Sequence, residues 1–148
     1  MSATAHPDSG WVTQQVRNLA IDERLGNVRF LVRDRDAKFS GPFDEVLRTE
    51  GVHVIRTPIR APKANAFAER FVGTVRRECL DHVLIYGRRH LEWVLKAYVA
   101  HYVKERPHRG LGLGVPAGDR APQIRTIRTP VERRDVLGGL IHEYRWAA

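Results

Sequence analysis

The sequence predicts an α/β fold. Two short β-rich runs, Arg29–Arg33 and Val52–Ile55, bracket a segment with helical signals at both ends. Ser40 caps it, Pro42 lies near its start and Gly51 ends it. A strand, a crossover helix and a second strand form a parallel pair by the right-handed crossover rule. Further on, Ala64–Leu80 and Arg88–Glu105 repeat apolar residues at helical spacing.

Composition narrows the class. A chain of 148 residues fits one domain, and 43% hydrophobic content is enough for a core. Lys and Arg total 25 against 17 acidic residues, a net charge of +8. Most of these cations are arginine, the better bidentate phosphate ligand. A nucleic acid is therefore the first partner to consider, with a merely basic soluble protein as the alternative. The single cysteine, Cys79, rules out an internal disulfide and a cysteine-based zinc site. The polar start MSATAHPDSGW has no apolar signal core, and no run reaches membrane-spanning length. A cytoplasmic protein with no membrane partner is expected.

Taken in order, Ser9 or Asp8 can cap a first helix. Its core stripe is Trp11 or Val12, Val16, Leu19 or Ala20, and Leu25, and Gly26-Asn27 stops it. Arg29–Arg33 reads as a buried strand, ending in Asp34-Arg-Asp36-Ala-Lys38-Phe39. Phe43, Val46 and Leu47 form the inner face of the crossover helix. The loop Thr57–Lys63 stays extended because residues before Pro58 and Pro62 avoid the helical region. A helix then starts near Ala64 or Asn65. Its apolar stripe is Phe67, Phe71, Val72 and Val75; Asn65, Glu69, Gly73, Arg76 and Arg77 share another face. Leu91, Val94 or Leu95, Tyr98 and Tyr102 are the inner face of the Arg88–Glu105 helix, which Pro107 ends. The glycine-rich turn after it lacks the lysine and hydroxyl of a P-loop and follows no strand. Beyond Val115 periodicity is low, and Leu137–Trp146 forms a small hairpin or a docked tail.

Function in parallel sheets gathers at the carboxyl ends of strands. Asp34 sits at one such end, and the Thr57 loop leaves its neighbour and delivers Glu69. Carboxylates converging there suit Mg²⁺, a hard cation that takes oxygen ligands. Two such ions can activate and stabilise the oxygens of a phosphodiester displacement. An exposed Glu with arginines further along the helix is, by the bland account, only a solvated face.

Several blocks carry a resemblance: RDRDAKFSGPF, then GVHVIRTPIRAPKANAFAERFVGTVRRECLDH, then HYVKERPHRGLG. In this order and spacing they resemble the second half of the catalytic core of integrase-type DDE transposases of bacterial insertion sequences, relatives of retroviral integrases. The resemblance covers roughly His6 to Pro116. It implies a ribonuclease H-like fold and DNA integration, recombination and transposition by magnesium-dependent (or Mn²⁺-dependent) cleavage and strand transfer. The implied catalytic and metal residues are Asp34, with Asp36 as fallback, and Glu69. Candidate DNA contacts are Lys38, Lys63, Asn65, Arg70, Arg76 and Arg77; Lys38 could instead pair with a carboxylate. Tyr102, Arg106, Pro107 and His108 match a family block read as anchoring the last helix, and Cys79 reads as a packing thiol.

The chain departs from that pattern in one place. The family's first Asp lies on a three-stranded antiparallel meander well upstream of the second, and the residues before Asp34 read as a helix. The expectation is an incomplete core over residues 1–116 that lacks those three strands, with a C-terminal extension or tail over 117–148. Two carboxylates instead of three imply weak metal binding and no strand transfer by this chain alone; the alternative is a non-catalytic basic module that binds DNA or a transposase. The Arg29–Val32 strand would expose an unpaired edge. The expected partners are transposon-end and target DNA, and a second copy or a complementing upstream fragment.

Overall fold

Residues 2–59, 62–118 and 130–147 are described by the structure, a computed structural model; for Pro62 and Lys63 it describes the backbone only. Arg60, Ala61 and the segment 119–129 lie outside the described residues. Among the described residues the α-helices and β-strands are, in order, α1 (Ser9–Ile21), β1 (Phe30–Arg33), α2 (Gly41–Thr49), β2 (His53–Arg56), α3 (Ala66–Glu78), α4 (Arg88–Lys104), β3 (Val131–Val136) and β4 (Ile141–Trp146). The chain divides into two compact units, with the division inside α3 between Gly73 and Thr74.

In residues 2–73, Asp8 starts α1 by accepting a 2.7 Å hydrogen bond from the Trp11 N–H. This side-chain cap satisfies a donor that the helix leaves open. The helix ends at Ile21, short of the stop expected at Gly26. Glu23 takes a left-handed conformation (φ 55°), and its N–H and that of Arg24 return to the carbonyls of Ala20 and Leu19. That capping geometry closes the helix early and turns Leu25 back into the core.

β1 and β2 pair in parallel, Phe30 against His53 through Arg33 against Arg56, with α2 as the expected crossover. Alternation along the strands splits the side chains between two faces. Leu31 and Val54 pack onto a core built from Val16, Leu25, Phe43, Leu47 and Val52. Leu47 is fully buried, which stabilises the fold by about 1.5–3 kcal/mol. The other face carries Phe30, Val32 and Ile55, which remain 56%, 50% and 46% exposed. The expectation of a buried strand therefore holds for one face only.

After β2, residues Pro62–Asn65 make a short 3-10 turn, and α3 begins at Ala66. Its apolar stripe differs from expectation. Val75 is buried and Phe71 half-buried, but Phe67 and Val72 are 86% and 56% exposed, and Thr74 is buried instead. The Phe67 ring falls in the first turn, where no described residue covers it.

Among the described residues of 74–147, Cys79, Val94 and Tyr98 are the most buried side chains. Cys79 is a free, buried thiol, and burial raises it above its ordinary pKa. Tyr98 Oη donates a 2.7 Å hydrogen bond to Glu78, and the Arg106 guanidinium donates one of 2.6 Å to the other carboxylate oxygen. Arg106 also lies over the Tyr102 ring, and His108 meets that ring edge-on at 4.6 Å. The Arg106–His108 block thus anchors the end of α4.

β3 and β4 form an antiparallel hairpin, longer than the one proposed from Leu137. Gly138 and Gly139 sit at φ 68° and 90°, a turn that favours glycine. The hairpin docks on α4 through His101–Glu143 at 3.2 Å and Glu105–Arg145 at 2.8 Å.

Candidate functional site

The carboxyl ends of β1 and β2 are built by an ion cluster that the sequence did not advertise. Arg33 ends β1 with its side chain buried, and Arg56 ends β2 directly beside it. Asp44, in the first turn of α2, accepts two hydrogen bonds from Arg33 (3.0 and 2.8 Å) and one from Arg56 (2.7 Å). The Arg33 hydrogen bonds, helped by the one from Arg56, hold the Asp44 carboxyl below the usual range despite partial burial. Bidentate pairing satisfies a cation that would otherwise be costly to bury. The available signal was a cation at the end of each apolar run.

This cluster fixes the next residues. Arg33 Nη1 donates a hydrogen bond to the Asp34 carbonyl at 2.9 Å. Arg35 reaches across to the Thr57 carbonyl at 3.1 Å, and the Thr57 N–H donates to the Arg33 carbonyl at 2.9 Å. The Asp34 turn and the Thr57 loop therefore lie on the same edge of the sheet.

The two aspartates of this turn differ. The exposed Asp34 accepts from the Asp36 N–H at 3.0 Å, a local Asx turn. The Asp36 carboxylate binds both the Lys38 ammonium, at 2.6 Å, and the Lys38 N–H, at 2.9 Å. The side-chain bond from Lys38 lowers its pKa. Lys38 thus takes the carboxylate-pairing alternative.

Glu69 lies exposed in the first turn of α3, where a negative charge suits the helix dipole. It follows the Thr57 loop through Arg60 and Ala61, which lie outside the described residues. Arg70, Arg76 and Arg77 are exposed along α3, and Asn65 is half-buried just before it. Arg76 and Arg77 complement the carboxyl end of that helix. The Lys63 side chain lies outside the described residues. Among the described residues no three His, Cys, Asp or Glu side chains gather where they could hold a metal ion.

A hollow of about 450 Å³ lies among Gly26, Val28, Arg29, Phe30, Glu50, Gly51 and His53. It opens at the amino ends of the strands, away from Asp34, and Glu50 is the one carboxylate in its lining.

With this geometry in place, comparison with known proteins adds one finding. Residues 50–116 match the family model of the integrase core domain. The matched segment contains β2, α3 with Glu69, and α4, but not Asp34. It supports an integrase-type catalytic core and a role in DNA integration or transposition. No curated protein and no solved structure matches the chain. Among the described residues no helix is long and apolar enough to cross a membrane.

Proposed function

We propose that the chain acts on DNA in integration or transposition, with Asp34 and Glu69 as its catalytic carboxylates. The observation that carries this reading is the integrase-core match over residues 50–116, which contains Glu69 on its helix. A net charge of +8 supports a polyanionic partner. The parallel β1–α2–β2 unit, with Asp34 at a carboxyl end, fits a ribonuclease H-like core. Asp34 is the better candidate than Asp36 because its carboxylate is not spent on a lysine. Lys63, Asn65, Arg70, Arg76 and Arg77 are the proposed backbone contacts, holding phosphates without reading sequence.

Integrase core domains typically use divalent metals. Mg²⁺ demands near-ideal octahedral oxygen ligation. Two carboxylates and no third group among the described residues do not fit an ion held by this chain alone. Weak Mg²⁺ or Mn²⁺ binding and no strand transfer by the isolated chain are therefore proposed. That same observation favours a second reading, a basic DNA-binding module without catalysis.

The test is nicking of supercoiled plasmid in Mn²⁺, read beside duplex binding by fluorescence anisotropy. Nicking abolished by Glu69→Gln, with binding kept, supports the catalytic reading. Binding without nicking in either protein supports the module. Absence of DNA binding at low salt overturns both.

A further inference from the structure

A second surface lies on α4, away from the two carboxylates in sequence and unused by the reading above. Tyr86, just before the helix, stacks on His90 with centroids 5.3 Å apart and planes at 28°. His90 in turn stacks on Trp93 at 5.9 Å and 17°. The Tyr86 N–H donates to His90 Nδ1 at 3.3 Å, which holds the middle ring in line. The outer rings are largely open: Tyr86 is 81% exposed and Trp93 57%. Single exposed apolar side chains are ordinary, but aromatic rings grouped in one exposed patch mark an interaction surface.

The surrounding charge indicates what the rings meet. Arg89 and Lys96 lie four residues before and three after Trp93, spacings that put them on the same helix face. Both are exposed, as is Arg88. The single acidic residue among them, Glu92, is half-buried and lies 3.9 Å from Arg88. The patch is thus a row of nearly parallel rings with cations on either side. An acidic protein surface would match the charge but not the stacked planes. A nucleic-acid strand with unpaired bases offers both flat rings and phosphates.

We propose that Tyr86 and Trp93, held in line by the His90 ring between them and flanked by Arg89 and Lys96, form a stacking site for unpaired DNA bases. This inference rests on the reading that the chain acts on DNA. It adds that the substrate is engaged where the duplex is open or frayed.

The experiment measures binding of a labelled oligothymidylate and a labelled mixed-sequence duplex to the full chain at several salt concentrations. Trp93→Ala is expected to weaken oligothymidylate binding about tenfold or more while leaving duplex binding within about twofold. Trp93→Phe is expected to restore most of the loss, because a phenyl ring still stacks. Arg89→Ala should lower the salt slope for oligothymidylate by about one. Circular dichroism melting checks that Trp93→Ala folds, as its exposure implies. Equal affinity of Trp93→Ala and the native chain for oligothymidylate overturns the proposal. So does an equal loss on both DNAs, or conversion of a dimer to a monomer with oligothymidylate binding unchanged, which would make the rings a self-association surface. If the native chain binds duplex but Trp93 is irrelevant to the single strand, only the stacking site falls. If it binds neither DNA, the DNA reading falls with it.

Discussion

Two regions of the molecule solve the same burial problem differently. Around α4 the apolar face closes on itself: Cys79, Val94 and Tyr98 are almost fully buried, and the polar Tyr98 hydroxyl is satisfied by Glu78. Around the parallel pair only one face closes. Helices α1 and α2 cover Leu31 and Val54, while Phe30, Val32 and Ile55 stay about half exposed. Parallel sheets occur almost only with both faces covered. The difference teaches that a helix can complete its own hydrogen bonds, whereas a two-stranded parallel pair leaves edges and a face for something else to complete.

The sharpest way to break the closed region is Tyr98→Ala. It removes a fully buried ring and leaves Glu78 and Arg106 without their third partner. Losses for large buried aromatics run about 3–5 kcal/mol, and that is the expected range here. A urea titration read by far-ultraviolet circular dichroism measures it. A loss under about 1 kcal/mol would show that the region is not closed as described.

Next in size is Asp44→Asn, which strips the counter-charge from the buried Arg33. Fully buried pairs cost about 3–5 kcal/mol when broken; with Asp44 22% exposed, about 2–3 kcal/mol is expected. The sign with pH follows from the lowered Asp44 pKa. A carboxylate held below its unfolded value contributes fully above that value and loses its contribution as pH falls through the folded one. The gap between the native chain and Asp44→Asn should therefore be full at neutral pH and shrink below about pH 4. A gap constant across the acid range would mean that Arg33 and Arg56 do not hold the Asp44 charge.

How much of this was legible beforehand depends on the residue. The parallel pair, the inner face of α2 and the buried Val94 and Tyr98 follow from periodicity, which reports burial wherever a helix or strand has one face against a core. Phe67 and Val72 misled the same rule, because spacing shows that residues share a face but not that anything covers it. The end of α1 was missed because Glu23 adopts a conformation usually left to glycine. The Arg33–Asp44–Arg56 cluster was missed because a partnership between charges distant in sequence is set by strand register, not by local pattern. Asp34 was legible as a strand-end carboxylate, and its pinned carbonyl agrees with that position. Its relation to Glu69 was an inference from topology, since the connection runs through residues 60 and 61.

The smallest effect on stability is expected on the open face. Val32 projects from β1 beside Ile55 and is half exposed, so a cation there meets water rather than a core. Val32→Lys should change the unfolding free energy by no more than about 0.5 kcal/mol, as for other surface positions. Its effect on association should be much larger if a second copy covers this face. A lysine there would have its charge buried without a partner under the second copy, which opposes that contact. Light scattering after size exclusion is the measurement, with the native chain expected to self-associate and Val32→Lys to run as a monomer. If both run as monomers, the open face is simply solvated. If both associate equally, the contact lies elsewhere. If instead Val32→Lys unfolds the chain, the face is already covered, and the contrast with α4 disappears.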